Sequence, residues 1–198
     1  MHPSLADCIT FLLLDSTKAS QPQCRRVSFG GFDILSQGFS SRCYNTPMPK
    51  LFVKRSIEID APAAKVWDAL TLKKSTDTWA CEFSGELPFS IESDWKFGSP
   101  VLWKDQDGHV IVQGNVTAVE PHTFLRFTVF DVRGEKPPVT EEDGITYHLT
   151  EQNKKTTLQL SQGDFSVMAQ AEKYHRLSEE IWDRVLPKVK AFAENKHI

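Results

Sequence analysis

The chain has 198 residues, a formal net charge of −3, and ordinary globular proportions of hydrophobic (40%) and charged (25%) residues. This length predicts one folded domain of about 150 residues together with additional sequence. The charge argues against nucleic acid as a partner, because nucleic-acid binding usually needs a clustered basic surface. No apolar run approaches the roughly 18 residues of a membrane-spanning helix, so we expect no membrane span.

Residues 1–47 form a predicted extension, and residues 48–198 form the predicted folded domain. All five tryptophans follow Met48, whereas three of the four cysteines precede it. A disulfide framework would place paired cysteines inside the folded unit. The domain is therefore predicted to be reduced and cytoplasmic.

The extension has the composition of either a targeting sequence or a tail. Between residues 16 and 47 the only acidic residue is Asp33, while arginine and serine are frequent, which is typical of an organellar transit peptide. Asp7 and Asp15 weaken that interpretation. A disordered tail, or a functional start at Met48, is favoured, and a plastid or mitochondrial location is the alternative.

The predicted domain begins with a strand that changes abruptly into a helix. Alternating apolar residues predict a strand over Phe52–Ile59. Pro62 suits a first helical turn, where its missing N–H would have no partner. Apolar residues then follow at helical spacing: Ala63, Val66, Trp67 and Leu70. A second short helix is predicted from about Thr71 to just before Trp79.

Antiparallel strands separated by turn signals are predicted between Ile91 and Gly163. The residues that share a face within each strand are Trp95 and Phe97; Val101 and Trp103; Val110, Val112, Val116 and Ala118; Leu125, Phe127 and Val129; Ile145, Tyr147 and Leu149; Leu158 and Leu160. Asp107-Gly108 predicts a tight hairpin. Segment 133–144 is long for a loop and rich in proline and charge, and a solvated loop is favoured over a functional one.

The last segment predicts a long amphipathic helix of some 25 residues, or roughly 37 Å. Its apolar stripe contains Ala171, Tyr174, Leu177, Ser178, Ile181, Trp182, Val185, Leu186, Val189, Phe192 and Ala193. Pro187 falls on the polar side, where it bends a helix rather than ending it. The predicted fold is α+β: a curved antiparallel sheet wrapped around this C-terminal helix, with two short helices after the first strand.

Several motifs carry a resemblance to a known family. They are Ala61-Pro62 with Val66-Trp67 and Ala69-Leu70, Gly114 and Val116 followed by Pro121 and Leu125, Tyr147 with Leu149-Thr150-Glu151, Thr157-Leu158 with Leu160, and Trp182. In this order they resemble the SRPBCC superfamily, which includes START domains and the birch pollen allergen, and within it the AHSA-type family, which is named after an activator of the heat-shock chaperone ATPase. The resemblance covers about residues 50–195. It implies a helix-grip fold with a cavity for hydrophobic small molecules.

The predicted ligand site consists of apolar residues in the inward phase of the strands and the last helix. They are Trp95, Phe97, Trp103, Val112, Phe127, Val129, Tyr147, Leu149, Leu158, Tyr174, Leu177 and Ile181. Tyr147 and Tyr174 are the polar groups among them that would orient a guest. The alternative is that all of them simply fill the core. Gly114, also in the inward phase, indicates sheet curvature or, alternatively, space for a ligand.

The sequence offers no acid and base paired for catalysis, and we predict no catalytic residue, metal or cofactor. His148 is predicted to face solvent, and His175 to be structural. Lys188 is expected to extend from the apolar stripe towards water, and Cys81 to be a small buried residue. The stretch Asp105 to Gly108 lacks the carboxylates that complete a calcium loop.

Three functions follow from the residues and the resemblance. The favoured one is binding of a hydrophobic or amphipathic small molecule. The first alternative, which rests on the resemblance alone, is activation of a heat-shock chaperone ATPase, with the chaperone as partner. The second alternative is a cyclase- or dehydratase-like enzyme acting in the cavity, which the lack of an acid–base pair disfavours.

Overall fold

The computed structural model describes residues 49–83, 88–133, 140, 143–168 and 170–196. The strands are β1 (Val53–Ile59), β2 (Ser90–Glu92), β3 (Pro100–Lys104), β4 (Val110–Glu120), β5 (Phe124–Phe127), β6 (Phe130–Asp131), β7 (Gly144–Gln152) and β8 (Lys155–Gly163); the helices are α1 (Ala63–Thr71), α2 (Lys73–Trp79) and α3 (Ala171–Ala193). Short 3-10 turns follow α2 (Ala80–Phe83) and β8 (Phe165–Val167). The predicted extension and most of loop 133–144 lie outside the described residues. The division at residue 48 and the cytoplasmic location stay predictions.

The strands form one antiparallel sheet in the order β1-β8-β7-β5-β4-β3-β2, and β6 pairs with β4 beside this path. Tight turns make the long hairpins. Asn153 and Lys154 join β7 to β8 with φ of 52° and 62°, and Gly108, with φ of 81°, lies in the predicted turn between β3 and β4. Positive φ at such positions matches the twist of the flanking strands.

Strand β4 bends the sheet. Its first half pairs with β3 and β6, its second half pairs with β5, and the register shifts between Val116 and Ala118. Beyond this bulge, Ala118 pairs with Arg126, and Val119 pairs with the buried Leu125. The prediction that Ala118 shares the inward face with Val116 is therefore wrong, because a bulge reverses the alternation that follows it.

Helix α3 lies against the concave face of the sheet. Its buried residues are Tyr174, Ser178, Ile181, Trp182, Val185, Leu186, Val189 and Ala193, which confirms the predicted stripe. Pro187 lies inside the helix and is exposed, on the predicted polar side. The predicted α+β helix-grip architecture is confirmed. No helix in the described part of the chain is both long and apolar enough to cross a membrane.

The short helices support one end of this arrangement. Pro62 precedes α1 in an extended conformation, and the N–H of Ala63 donates a 2.8 Å hydrogen bond to Oε2 of Glu151 at the end of β7. A carboxylate at a helix N-terminus satisfies a donor that the helix itself leaves unpaired, and it also complements the helix dipole. Strand β7 therefore fixes where α1 begins.

Polar contacts between α3 and β1 cover the edge of the sheet at β1. We call this set of contacts the seam. Arg55 binds Asp183 through two hydrogen bonds of 2.7 and 3.2 Å and Glu179 through one of 3.0 Å. The carbonyl oxygens of Phe52 and Glu58 accept from His175 Nε2 at 3.1 Å and Lys190 Nζ at 2.7 Å. An edge strand whose carbonyl groups are already bonded is a poor template for a further strand.

Candidate ligand site between the sheet and the long helix

Aromatic rings fill the space between the concave sheet and α3, which we call the interior. The ring centroids are 5.3 Å apart for Phe83 and Trp103, 5.2 Å for Phe83 and Trp182, 6.2 Å for Trp182 and Tyr147, 5.8 Å for Tyr147 and Phe127, and 5.4 Å for Phe127 and Trp95. Such tilted and edge-to-face contacts are the favourable geometry for aromatic pairs. The series connects β3 to β7 across the inner face of α3.

The structure brings most of the predicted site residues into this interior. Trp103, Val112, Phe127, Tyr147, Leu149, Leu158, Tyr174 and Ile181 are all buried. Trp95, Val129 and Leu177 are half-buried and pack against the same core. Phe83, which contacts both Trp103 and Trp182, was not predicted. It lies in a 3-10 turn, whose short period leaves no recognisable pattern in the sequence.

Phe97 is 77% exposed, so its predicted place in the interior is wrong. The predicted alternation of Trp95 and Phe97 fails because this segment is not a strand. Trp95 has a φ of 53°, and its indole Nε1 donates a 2.8 Å hydrogen bond to the carbonyl oxygen of Thr71 at the end of α1. The left-handed residue redirects the chain, and Phe97 then points to solvent.

Gly114 makes room for backbone rather than for a ligand. A Cβ atom on Gly114 would lie 1.8 Å from the carbonyl oxygen of Thr128, where the chain crosses between β5 and β6. Thr128 N donates to the carbonyl oxygen of Asn115 at 2.9 Å in the same crossing. This contact supports the favoured interpretation, sheet curvature.

Three buried polar side-chain atoms of the described residues have no hydrogen-bond partner: Nε1 of Trp103, Oγ of Ser178 and Oε2 of Glu194. Glu194 Oε2 forms an ion pair with Lys196 at the end of α3, so the two neutral groups, Trp103 and Ser178, are the ones that concern the interior. Other buried indoles are satisfied: Nε1 of Trp79 donates to the carbonyl oxygen of Ala69 at 3.0 Å, and Nε1 of Trp182 donates to Oε1 of Gln162 at 2.6 Å. An unpaired buried group costs about 1–3 kcal/mol, and most such groups in native proteins have a partner.

Tyr147 adds a third polar group to the interior. Its side chain is 2% exposed, and burial alone raises the pKa of its hydroxyl well above the ordinary range. The hydroxyl therefore stays protonated and remains able to donate. Its ring contacts Trp182, which lies one helical turn after Ser178 on the same face of α3.

The carboxylates most enclosed by the described structure already face cations. Asp131 lies in register with Val112 and has an Arg133 Nε atom 3.5 Å from Oδ1. Burial alone would raise the pKa of Glu82, but hydrogen bonds from Lys188 and Arg184 outweigh it and lower that pKa. Ser178 and Asp131 were not predicted as site residues. A lone serine inside the apolar stripe of the last helix was the available signal for Ser178.

The other chemically active residues do not converge on the interior. His148 is exposed and lies 3.3 Å from Oε1 of Gln159, and His175 belongs to the seam, as its predicted structural role requires. Lys188 reaches Oε1 of Glu82 at 2.6 Å. Cys81 is half-buried rather than buried, with its Sγ 3.6 Å from the carbonyl oxygen of Thr78. Nδ1 of His175 also lies 3.5 Å from Oε2 of Glu179, a contact that belongs to the side of α3 facing β1.

One group of possible metal ligands lies in the β3–β4 hairpin. Ligand atoms of Asp105, Asp107 and His109 come within 4.8 Å of one another. However, Oδ1 of Asp105 already accepts the backbone N–H groups of Asp107 at 3.0 Å and His109 at 2.9 Å. The arrangement is that of a side chain stabilising a turn, and we assign no metal to it.

Together, the sheet, the long helix and the aromatic interior define a helix-grip domain. Residues 60–194 match the family model of the activator of Hsp90 ATPase homolog 1-like proteins, and the chain belongs to that family. A comparison with functionally curated proteins finds no match.

Solved structures agree with this assignment. A solution structure from Cytophaga hutchinsonii shares 28% identity, covers 74% of this chain and 95% of its own, and superposes with a TM-score of 0.56. A crystal structure from Mesorhizobium loti shares 20% identity over 74% and 99% of the two chains, with a TM-score of 0.58. The Aha1 dimer of Colwellia psychrerythraea shares 16% identity over 73% and 96%, with a TM-score of 0.51. The last two comparisons bear on the fold alone.

Proposed function

We propose that this protein binds an apolar or amphipathic small molecule in the interior between the sheet and α3. The observation that carries the proposal is the presence of unpaired buried polar atoms, Trp103 Nε1 and Ser178 Oγ, among aromatic side chains. Ligand sites are typically apolar surfaces with a few polar groups that orient the guest. Local violations of the rule that buried polar groups are paired occur preferentially at functional sites.

Binding at this site requires side chains to move. The rings of the interior lie 5.2–6.2 Å apart, so they contact one another directly. A guest therefore binds a conformation in which some rings have separated, and the cost of that separation reduces its apparent affinity. The half-buried residues Trp95, Val129 and Leu177 lie at the margin of the core, where the packing is less complete.

The test uses the neutral fluorescent probe Nile red with the purified full chain. We expect a saturable rise in fluorescence at one probe per chain. Ser178→Val, which enlarges a residue that is fully buried on α3, should weaken binding at least fivefold. The matched control Ser56→Val enlarges an exposed residue on the outer face of β1 and should leave binding unchanged. No saturable binding, or equal loss in both variants, would contradict an internal site.

The family match motivates a second candidate, activation of a heat-shock chaperone ATPase. In that case the chain acts on a protein partner, and an occupied interior is not required. The discriminating experiment is an ATPase assay of the purified chaperone with and without the full chain. Stimulation that persists in Ser178→Val would separate this activity from small-molecule binding, and an absence of stimulation would rule it out.

A further inference from the structure

We propose that the guest of the interior is an electrically neutral, largely apolar molecule that carries a hydrogen-bond acceptor, and that this acceptor receives the N–H of Trp103. The inference rests on the proposed function, because it specifies the chemistry of the same site. It goes further by excluding carboxylates, phosphates and ammonium ions from the interior, and by assigning one atom of the protein to the polar end of the guest.

The acceptor follows from the chemistry of Trp103. An indole Nε1 is a donor only, so just one kind of partner satisfies it. Trp103 is 2% exposed and contacts the rings of Phe83 and Phe89, at centroid distances of 5.3 and 5.4 Å. Neither phenyl ring carries an oxygen acceptor, and Nε1 has no hydrogen-bond partner. A carbonyl, ether or hydroxyl oxygen on the guest supplies what the fold does not.

Neutrality follows from the charges around the interior. The side chain of Asp131 is 5% exposed, and its register places it in the same row of the sheet as Val112 and Trp103. A carboxylate in that row opposes an anionic guest. It does not invite a cationic guest either, because Arg133 lies 3.5 Å from its Oδ1. A charge brought into such a site is desolvated without compensation.

Hydroxyl groups provide the remaining polar contacts. Tyr147 on β7 contacts the ring of Trp182, and Ser178 lies one helical turn before Trp182 on the buried face of α3. A hydroxyl both donates and accepts, so it tolerates either polarity in a neutral guest. It does not offset a full charge, which needs several oriented dipoles or a counter-ion. The polar lining therefore discriminates by charge rather than by the identity of the oxygen group.

The experiment compares four probes that share one fluorescent skeleton: methyl 1-pyrenebutanoate, 1-pyrenebutanoic acid, 1-pyrenebutylamine and 1-butylpyrene. At pH 7 the first is a neutral acceptor, the second an anion, the third a cation, and the last has no acceptor. With the full chain we expect the ester to bind at least thirtyfold more tightly than the acid or the amine. Loss of the acceptor in butylpyrene should weaken binding about fivefold to tenfold.

The contact to Trp103 is tested by substitution and by NMR. Trp103→Phe should abolish the preference for the ester, so that the ester and butylpyrene bind the variant with equal affinity. If this variant does not fold, the indole N–H resonances of the unaltered protein replace it. The Trp103 signal should shift downfield with the ester and not with butylpyrene. The Trp182 signal is the internal control, because its N–H is already bonded to Gln162.

The outcomes separate the two proposals. Failure of all four probes to bind would remove the internal site and with it the proposed function. Binding of the acid or the amine as tightly as the ester would overturn the inference and leave the proposed function standing. A preference for the ester with no response of Trp103 in either measurement would keep neutrality but reject Trp103 as the donor.

Discussion

The two sides of α3 differ in whether the polar groups beside them are hydrogen-bonded. On the side of β1, in the seam, Arg55, His175 and Lys190 each find an oxygen within 3.1 Å. On the side of the concave sheet, Trp103 Nε1 and Ser178 Oγ find none. The polar side chains of the seam are therefore paired by the fold, whereas in the interior Trp182 is paired with Gln162 but Trp103 and Ser178 are not paired.

The difference separates what holds the domain together from what is available for a guest. Paired groups at the seam fix the helix against the edge strand. Unpaired groups in the interior destabilise the empty protein and become favourable when a guest pairs with them. The seam on one side of α3 therefore contributes to stability, and the interior on the other side is the proposed binding site.

The largest loss of stability is expected for a substitution at Gly114, where β4 passes close to the backbone of Thr128. Gly114→Ala brings a Cβ atom to 1.8 Å from the carbonyl oxygen of Thr128, and neither backbone segment can yield easily. We expect a loss of more than about 4 kcal/mol in the free energy of unfolding, or no soluble protein. Urea unfolding followed by tryptophan fluorescence measures it. In the control Gly108→Ala nothing lies within 4 Å and only the positive φ is strained, so the loss should be about 1 kcal/mol.

Trp182 packs in the interior and is hydrogen-bonded to Gln162 of β8. Its replacement should cause the next largest loss in the free energy of unfolding. Trp182→Phe removes the 2.6 Å hydrogen bond to Gln162, and it opens space beside Phe83 and Tyr147. The cavity and the unpaired amide together should cost about 2–4 kcal/mol in thermal or urea unfolding. A cost below about 1 kcal/mol would show that the interior closes around the smaller ring and that the aromatic series is adaptable.

The seam should contribute less than its number of contacts suggests. The side chains of Arg55 and Asp183 are 27% and 58% exposed, so solvent screens their attraction. Arg55→Gln should lower the free energy of unfolding by only about 1 kcal/mol at low salt, and less at high salt. A double-mutant cycle with Asp183→Asn isolates the pair. A coupling above about 3 kcal/mol would contradict a screened seam.

The same pair predicts a pH dependence. The hydrogen bond from Arg55 is the main cause that lowers the pKa of Asp183 in the folded protein. A lowered folded pKa stabilises the protein above the ordinary carboxyl pKa of about 4, and this stabilisation is lost as the pH falls below it. Unfolding free energy should therefore fall less between pH 5 and pH 2.5 in Asp183→Asn than in the unaltered protein. Equal slopes would show that Asp183 is not linked to folding.

The sequence predicted the elements that carry a regular period and missed those that depend on contacts between strands. The stripe of α3 and the strands β7 and β8 follow from alternation and helical spacing alone. Phe97 was misplaced because a single left-handed residue, Trp95, ends the alternation. Ala118 was misplaced by a bulge whose position depends on pairing with β5. Neither event has a local signature in the residues concerned.

The candidate site shows the same limit more strongly. Burial of eight of the twelve predicted residues could be predicted, since apolar residues in phase face the core. Which polar atoms would be left unpaired could not be predicted. That property depends on whether an acceptor from another element comes within hydrogen-bond distance, as Gln162 does for Trp182. Trp103 and Trp182 are the same residue type with the same burial, and only the fold distinguishes them.

The smallest predicted change in stability tests the comparison between paired and unpaired polar groups most directly. Ser75 and Ser178 are both fully buried serines within helices. Oγ of Ser75 lies 2.7 Å from the carbonyl oxygen of Asp68 and 2.8 Å from that of Leu72 and donates its one proton within this pair, whereas Oγ of Ser178 has no partner. In ligand-free protein, Ser75→Ala should lose about 1 kcal/mol of unfolding free energy, while Ser178→Ala should lose nothing or gain up to about 1 kcal/mol. An equal loss in both variants would mean that Ser178 has a partner in solution, and the interior would then be as fully satisfied as the seam.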